Sequence, residues 1–469
     1  MNPSLLHPDR LFPVDKSTRD IARELYHQVK DAPIISPHGH TDASWFAENT
    51  SFGDPVSLLI TPDHYLLRMF YSQGIPLENF GVKTRDGSPY ETDKRKIWKL
   101  FAQNFYLFRG TPSALWLGHV FHEVFRIEKP FTVENADFYF DEISNQLQSK
   151  ECLPRALFDR FNIEILATTD AATDTLSDHK KIKNEWGKRV LPTYRPDSAL
   201  DPEHEDFSNN IKLLAELTGE DTQSWKGYLA AHRSRRKFFK ENGATATDHG
   251  HPNARTLNLT VAEGEKLYQK ILSTKFNPED ADDFRAHMLW QMASMSMDDG
   301  LVMQLHPGSF RNHNSSLYSK FGRDKGADIP VSIEYTKSLR PLLDSFGNST
   351  KLKLILFTLD ETTYSRELAT LAGHYPALRL GPAWWFHDSP EAMIRHRKQT
   401  METAGWYNVT GFIDDTRAFF SIPARHDVSR RIDARILAEL VSEHRMNKEE
   451  AMDLIKTITT SHAKECFRL

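Results

Sequence analysis

The stretch PIISPHGHTD, residues 33–42, decides the fold prediction. It begins with a short apolar run, typical of a buried β-strand, and ends in polar residues that include two histidines. Seven more apolar or β-branched runs along the chain end in polar or glycine-containing turns. Together these runs predict eight strands, over residues 33–37, 163–168, 189–194, 244–247, 301–305, 353–358, 378–381 and 408–413.

Segments with helical periodicity lie between these runs. Strands that are buried on both faces and joined by helices form a parallel sheet, and eight such units close a (β/α)8 barrel. We therefore expect an α/β protein with a TIM-type barrel. The clearest predicted helices cover residues 282–297, 332–346, 361–372 and 390–404.

The first two strands are separated by far more chain than the dozen or so residues of a simple crossover, which predicts a large, mainly helical insertion. We expect it to cover one mouth of the barrel.

Residues 426–460 are predicted to form two amphipathic helices that divide near Met446 and Asn447. The predicted units are residues 1–40 with an N-terminal helix and the first strand, 41–160 with the insertion, and 161–469 with the remaining barrel and the C-terminal helices.

The composition of the sequence argues against nucleic acid and membranes as partners and indicates the cellular compartment. The formal net charge of −5 gives no general attraction to nucleic acid or to an anionic membrane, and no stretch has the length and apolarity of a spanning helix. We interpret the basic run RSRRKFFK, residues 233–240, as a solvated helix face with Phe238 and Phe239 packed beneath it. Two distant cysteines and the absence of a signal sequence at the N-terminus predict a cytoplasmic protein.

His38 and His40 form the first candidate metal site. Alternate residues of a strand face the same side, so both imidazoles could bind one ion at the end of the first strand. The eighth strand is next to the first in a closed barrel and ends at Asp415, while the fifth strand ends at His306. These ligands predict one divalent ion, with zinc as the first choice and manganese or iron as alternatives. A second pair, His249 and His251, is the alternative location.

With a His-x-His at the first strand, a middle-strand His and an Asp at the eighth, the sequence resembles the amidohydrolase superfamily, and within it the uronate (glucuronate) isomerase family. The resemblance extends from about residue 20 beyond the last strand. Two details depart from the family pattern, because HGHTD replaces an expected Cys and Leu-Pro, and HPG stands where Ile is usual. The matching segments are DHYLLR from Asp63, TTD from Thr168, YRPD from Tyr194, FFKENGATATDHG from Phe238, MQLHPGSFRN from Met303, WWFHD from Trp384 and DTRAFFS from Asp415.

The resemblance implies a set of site residues. It places His38, His40 and Asp415 around the metal, with His306 near it. It also implies that a His-Tyr pair, His64 and Tyr65, and two arginines, Arg195 and Arg417, contact the substrate. The residue types add Arg311 and Trp385 at the same barrel mouth, where arginine forks can bind a carboxylate.

The implied reaction converts D-glucuronate to D-fructuronate and D-galacturonate to D-tagaturonate. We expect proton transfer through a cis-enediol, with Asp415, Tyr65 and Arg417 as the catalytic residues. The base is left open between Asp415 and Tyr65, since a tyrosine can serve only if cations lower its pKa. We expect a small hexuronate as the partner, with a homo-oligomer left open.

Two other functions are compatible with a metal at a barrel mouth. One is a mononuclear metal-dependent hydrolase of an amide, lactone or phosphoester. A related binuclear enzyme would need a Lys at the fourth strand and a His at the sixth, but those strands end in TATDHG and FTLDET. The other is a catalytically silent barrel that binds sugar acids.

Overall fold

The computed structural model describes residues 6–469 and shows a parallel (β/α)8 barrel. Its strands are short and almost wholly buried, which explains their continuous apolar runs. Two further strands of two residues each, Asp170–Ala171 and Tyr194–Arg195, pair with each other in parallel and extend the second and third strands toward the barrel mouth. The seven regular strands are β1 (Ile34–Ser36), β2 (Ile163–Ala167), β3 (Val190–Leu191), β4 (Ala246–His249), β5 (Val302–Leu305), β6 (Leu354–Leu356) and β7 (Leu378–Leu380).

Parallel pairing runs through the strands in chain order. β1 pairs with β2 and β2 with β3, and the extension at Tyr194 then pairs with Thr247 of β4. β4 to β7 continue the series. The ring closes where the backbone N–H of His40 donates to the carbonyl of Thr416 at 3.0 Å. The eight-unit prediction is therefore confirmed as a barrel.

The eighth strand is shorter than the predicted 408–413, because only Val409 forms a parallel bridge, to Leu380. The last helices lie close to this segment. A Cβ atom at Gly411 would be 2.9 Å from the carbonyl oxygen of Ile458, so a residue with a side chain would not fit here.

The helices surround the barrel and also fill the region between β1 and β2, where every residue is described and no strand forms. The α-helices are α1 (Lys16–His27), α2 (Ala43–Glu48), α3 (Pro55–Leu59), α4 (His64–Ser72), α5 (Lys94–Asn104), α6 (Pro112–His119), α7 (Ala136–Leu147), α8 (Pro154–Arg160), α9 (Ser177–Trp186), α10 (Asp197–Leu200), α11 (Phe207–Thr218), α12 (Trp225–Glu241), α13 (Val261–Leu272), α14 (Pro278–Asp299), α15 (Ser315–Phe321), α16 (Arg340–Phe346), α17 (Ala369–Ala372), α18 (Pro390–Ala404), α19 (Ile422–Ser442), α20 (Lys448–Lys456) and α21 (His462–Phe467).

Short turns of other helix types and one hairpin complete the fold. The hairpin pairs Ser309–Phe310 with Ile329–Pro330 in antiparallel fashion beyond β5. The 3-10 helices are Leu77–Phe80, Phe105–Phe108, Lys150–Cys152, Glu361–Thr363, Trp385–His387 and Phe419–Ser421, and the π-helices are Val120–Val124, Tyr364–Leu368 and Thr457–Ser461.

Most helix predictions are confirmed, with two differences. Residues 282–297 fall inside α14, α18 has the predicted limits, and α19 and α20 divide at Asn447, whose side chain caps α20. Residues 361–372 form 3-10, π and α turns in succession instead of one helix. The helix predicted over 332–346 begins only at Arg340.

Carboxylates explain that late start. Glu334 accepts hydrogen bonds from the backbone N–H groups of Lys337 and Ser338, and Glu367 accepts from those of Tyr335 and Thr336. Backbone donors that are satisfied by side chains do not require a helical ladder, so this segment stays irregular.

The region between β1 and β2 packs on the barrel mouth through aromatic rings. Phe46 and Phe52 contact Phe419 and Phe420, which follow the eighth strand, at centroid distances of 5.2 and 5.1 Å respectively. Behind this contact, Trp98 is fully buried. Aromatic contacts of this kind bury a large apolar area, and they fix these helices over the end of the barrel where the strands terminate.

The basic run at residues 233–240 differs from its prediction. Phe239 is buried as expected, but Arg235 and Arg236 are buried too. Arg236 pairs with Asp299 at 2.6 Å, and Arg235 donates to the carbonyl of Ala172. Buried arginines need such partners, so Arg235 and Arg236 belong to a packed face, whereas Arg233, Lys237 and Lys240 are exposed as predicted. In residues 6–469 no helix is long and apolar enough to cross a membrane.

Candidate active site

Three predicted metal ligands meet at the junction between the first and eighth strands. Nε2 of His38 and Nε2 of His40 each lie 3.0 Å from Oδ1 of Asp415. The backbone of Asp415 has a φ of 42°, a strained left-handed value that is rare for a residue with a side chain. Strain of this kind is held in place by surrounding structure and is concentrated at functional sites.

Gly39 separates the two histidines where the family pattern led us to expect a cysteine. A Cβ atom at Gly39 would lie 3.4 Å from the carbonyl oxygen of Ala167 and 3.6 Å from Oδ1 of Asp414. These are ordinary van der Waals separations, so the glycine is not required sterically. The positions of His38 and His40 therefore do not depend on this departure from the pattern.

His306 lies beside this group but is oriented by a different carboxylate. Its Nδ1 is 2.6 Å from Oδ1 of Asp248, and its ring stacks on His38 at 4.7 Å and on Phe357 at 4.0 Å. The four predicted ligands thus divide into two overlapping groups that share His38. His306 is placed next to a candidate ion, with Asp248 fixing the direction of its ring.

The protonation of the site follows from burial and charge. Burial favours a neutral Asp415, but His38 and His40 outweigh it and hold the pKa of that carboxyl well below its usual range. Burial lowers the pKa of His40 and of His306. At His38 burial is outweighed by Asp248 and Asp415, which raise its pKa. An ionised carboxylate beside imidazoles is the state that binds metal ions.

The donor set fits a divalent ion. Two imidazole nitrogens and one carboxylate oxygen converge from two neighbouring strand ends, and His38, Asp415 and His306 are all largely buried. Nitrogen and oxygen ligands in this number match a catalytic zinc site that keeps an open position, and manganese or iron would accept them as well.

Arg195 is held rigidly beside this centre. Its Nε donates to Oδ2 of Asp197 at 2.7 Å, and its Nη1 lies 3.1 Å from Oδ2 of Asp248. Burial opposes ionisation of Asp248, yet His306 and Arg195 hold its pKa well below the usual value. Asp248 was not among the residues predicted from the sequence, although its place at the end of β4 was a usable signal.

Arg311 and Arg417 face the same cavity from the other side. Arg311 pairs with Asp328 at 2.8 Å and stacks over Trp385 at 4.8 Å. Arg417 lies 3.8 Å from Asp324 and is 37% exposed, so its guanidinium is only loosely held. All ten predicted site residues line one cavity of about 440 Å³: His38, His40, His64, Tyr65, Arg195, His306, Arg311, Trp385, Asp415 and Arg417.

His64 and Tyr65 enter this cavity from the start of α4. The side chain of Asp63 caps the helix by accepting from the backbone N–H groups of Tyr65 and Leu66, which fixes both rings. Burial, helped by Arg417, lowers the pKa of His64 to about 3, so its imidazole is neutral. Burial raises the pKa of the Tyr65 phenol above its ordinary value, against the effect of Arg425.

Asp324 and Arg425 are among the charged residues of the cavity wall that sequence reasoning missed. Asp324 lies in the loop between the strands of the hairpin, and Arg425 lies in the first turn of α19. Neither follows a predicted strand, so neither was flagged. The alternative pair His249 and His251 lies instead with Asp197, behind Arg195, and is not part of the cavity wall.

Comparisons with known proteins agree with this geometry. The glucuronate isomerase family model matches residues 15–467. A uronate isomerase of Phenylobacterium zucineum is 58% identical over all of this chain and 97% of its own length. The crystal structure of a glucuronate isomerase from Caulobacter crescentus superposes with a TM-score of 0.97 at 56% identity, covering 98% of this chain and 96% of that one.

A more distant structure shows the same fold. The uronate isomerase from Thermotoga maritima superposes with a TM-score of 0.92 at 29% identity, covering 98% of this chain and 99% of that one. The full-length matches, together with the barrel and its site, show that the chain belongs to the glucuronate isomerase family and is an enzyme of the isomerase class.

Proposed function

We propose that the protein interconverts aldose and ketose hexuronates, D-glucuronate with D-fructuronate and D-galacturonate with D-tagaturonate. The observation that supports this most is the meeting of His38, His40 and Asp415 with three arginines in one cavity of about 440 Å³. A hexuronate has a carboxylate at one end and an aldehyde at the other, and a cavity that contains both arginines and a metal-type site suits both groups.

The substrate carboxylate is proposed to bind Arg311 and Arg417. Arg195 is already committed to two carboxylates, those of Asp197 and Asp248, whereas Arg417 has a single loose partner at 3.8 Å. A planar fork that is free to pair bidentately binds a carboxylate more strongly than one that is already occupied. Trp385, which lies under Arg311, gives that guanidinium a fixed plane.

Among the two candidate bases, burial favours Asp415. The pKa of Tyr65 is raised, so its phenol is neutral and suited to donate a proton, while Asp415 is ionised. Both histidine contacts of Asp415 use Oδ1, which leaves Oδ2 for the substrate. His38, His40 and Asp415 would hold the divalent ion, proposed to be zinc, which when bound supplies Lewis-acid stabilisation of oxygen charge.

The proton transfers balance within the substrate. The Asp415 carboxylate takes the proton from the carbon beside the aldehyde, a double bond forms between these two carbons, and Tyr65 donates its proton to the former carbonyl oxygen. The neighbouring hydroxyl then returns a proton to Tyr65 as it becomes the ketone. Protonated Asp415 delivers its proton to the former aldehyde carbon.

Activity assays on two substrate classes test this function. We expect turnover of D-glucuronate and D-galacturonate and none of a panel of sugar lactones and amides. A His38→Ala, His40→Ala variant is the control for activity that originates elsewhere in the preparation. Hydrolysis of a lactone or amide without uronate turnover would instead support the hydrolase, and binding of uronates without turnover of either class would support a silent barrel.

The compartment and the assembly are proposed on separate grounds. Cys152 and Cys466 are free and buried, which suits a reducing compartment, and we propose the cytoplasm. Whether a homo-oligomer forms is a question for light scattering on the purified protein.

A further inference from the structure

Arg425 is a buried arginine that joins three segments of the cavity wall. It lies in α19, and its side chain is only 4% exposed. One guanidinium nitrogen pairs closely with Asp388, which follows the 3-10 helix that contains Trp385, and Nε donates to Oγ of Ser421 at 3.1 Å. Its partners therefore fix it within the barrel itself.

The other side of Arg425 faces the helices between β1 and β2. Its Cζ lies 3.5 Å from the ring centroid of Trp116 in α6 and 5.8 Å from that of Tyr65. Its positive charge opposes the effect of burial on the pKa of the Tyr65 phenol. A guanidinium has a planar stacking face and five donors at its edge, so one side chain can do all of this at once.

From this geometry we infer that Arg425 is a positioning residue, which holds the Tyr65 hydroxyl at the correct place relative to Asp415. Tyr65 belongs to a helix of the inserted region, whereas Asp415 belongs to the barrel, so their relative position depends on contacts between the two. Arg425 supplies one directly, because it is fixed by Asp388 in the barrel and contacts Tyr65 and Trp116 in the insertion. The inference rests on the proposed role of Tyr65.

A lysine at position 425 should separate positioning from folding. Arg425→Lys keeps the positive charge beside Asp388 but loses the planar guanidinium that stacks on Trp116 and lies beside the Tyr65 ring. A misplacement of about 1 Å can cost on the order of 100-fold in rate, so we expect kcat to fall about 10- to 100-fold while KM changes less than about threefold. A structural lesion would instead lower the amount of folded enzyme without changing kcat per folded molecule.

Arg397 provides a matched control. It too is buried, pairs with a buried carboxylate, Asp433, at 3.0 Å, and stacks on a tryptophan, Trp406, at 5.2 Å, but it does not line the cavity. Arg397→Lys should keep kcat within about twofold of the parent. Since both substitutions disturb a buried arginine in the same way, the difference in kcat isolates the effect of Arg425 on the site.

The decisive experiment is a double-mutant cycle with Tyr65→Phe on the purified, metal-loaded enzyme. If Arg425 acts through Tyr65, Arg425→Lys should change kcat less than about twofold in the Tyr65→Phe background. Trp116→Leu removes the stacking partner of Arg425, together with a ring contact to Tyr65 at 5.5 Å, without touching a charge. It should show the same loss of effect and covers the case in which Arg425→Lys does not fold.

Each outcome of the cycle decides the inference. Tyr65→Phe with parental kcat would remove Tyr65 from the proposed mechanism and overturn this inference with it. A slow Tyr65→Phe enzyme, in which Arg425→Lys or Trp116→Leu still multiplies the loss, would overturn the positioning role alone. Parental kcat in the Arg425→Lys single variant would also overturn it.

Discussion

Arg417→Lys is predicted to weaken turnover with little effect on stability. In the free protein Arg417 has only a distant partner, Asp324 at 3.8 Å, and it is 37% exposed, so folding gains little from this pair. With substrate bound, its fork would form charge-assisted hydrogen bonds to the substrate carboxylate. Such bonds contribute about 1.5 to 3 kcal/mol, and an ammonium retains only part of this.

At about 1.4 kcal/mol per factor of ten, complete loss of these bonds would decrease kcat/KM by about 10- to 150-fold, which sets the upper limit of the decrease expected for Arg417→Lys. The assay is the initial rate of ketose formation from D-glucuronate, with the melting temperature measured alongside. Arg395→Lys is the matched control, because Arg395 pairs bidentately with Glu361 at 2.9 and 2.6 Å but lies outside the cavity. An Arg417→Lys enzyme as active as Arg395→Lys would refute the assignment of Arg417 to the substrate.

Four further predictions test the site and the fold. His38→Ala, His40→Ala should lower the bound divalent ion from one per chain to near zero by elemental analysis; full occupancy would move the site elsewhere. In heavy water, the product should gain deuterium at the former aldehyde carbon, to an extent set by shielding of the base, and Asp415→Asn should abolish this exchange. Arg236→Met removes the ion-pair partner of Asp299, which is partly exposed and still accepts from the backbone N–H of Leu301, and should lower the free energy of unfolding by about 2 kcal/mol in urea titrations; an unchanged midpoint would contradict it. Burial raises the pKa of Asp170 to about 7, whereas in the unfolded chain it is about 4. The protein therefore loses stability as pH rises from about 4 to 7, because the buried carboxyl holds its proton over this range and the unfolded one does not. Asp170→Asn, which cannot ionise, should raise the melting temperature at pH 8 more than at pH 5.

Strand positions and strand ends were predictable because they leave local signals. The barrel needs short apolar runs followed by polar turns, and both features occur within a few residues of each other. His38, His40 and Asp415 were found in this way, since neighbouring strand ends meet when the barrel closes. The roles of His64 and Tyr65 came only from the family resemblance, because nothing in their own segment indicates that α4 faces the barrel.

The features that could not be predicted from the sequence depend on contacts between distant segments. Asp324 is in a hairpin loop and Arg425 is in a helix, and each reaches the cavity because of how distant segments pack. Similarly, the run around Arg236 has the composition of a solvated helix, and only the partner Asp299, some 60 residues away, makes burial tolerable. The late start of α16 depends on Glu367, which is also distant in sequence.

A proton NMR time course of D-glucuronate with the purified, metal-loaded protein tests the central claim most directly. The account predicts that the signals of the aldose decrease and those of D-fructuronate grow in equal amount, with the total unchanged, until both reach a constant ratio that is also approached from D-fructuronate. An enzyme that is folded and loaded with metal, yet leaves both uronates unchanged or converts them to a product of different mass, would contradict it.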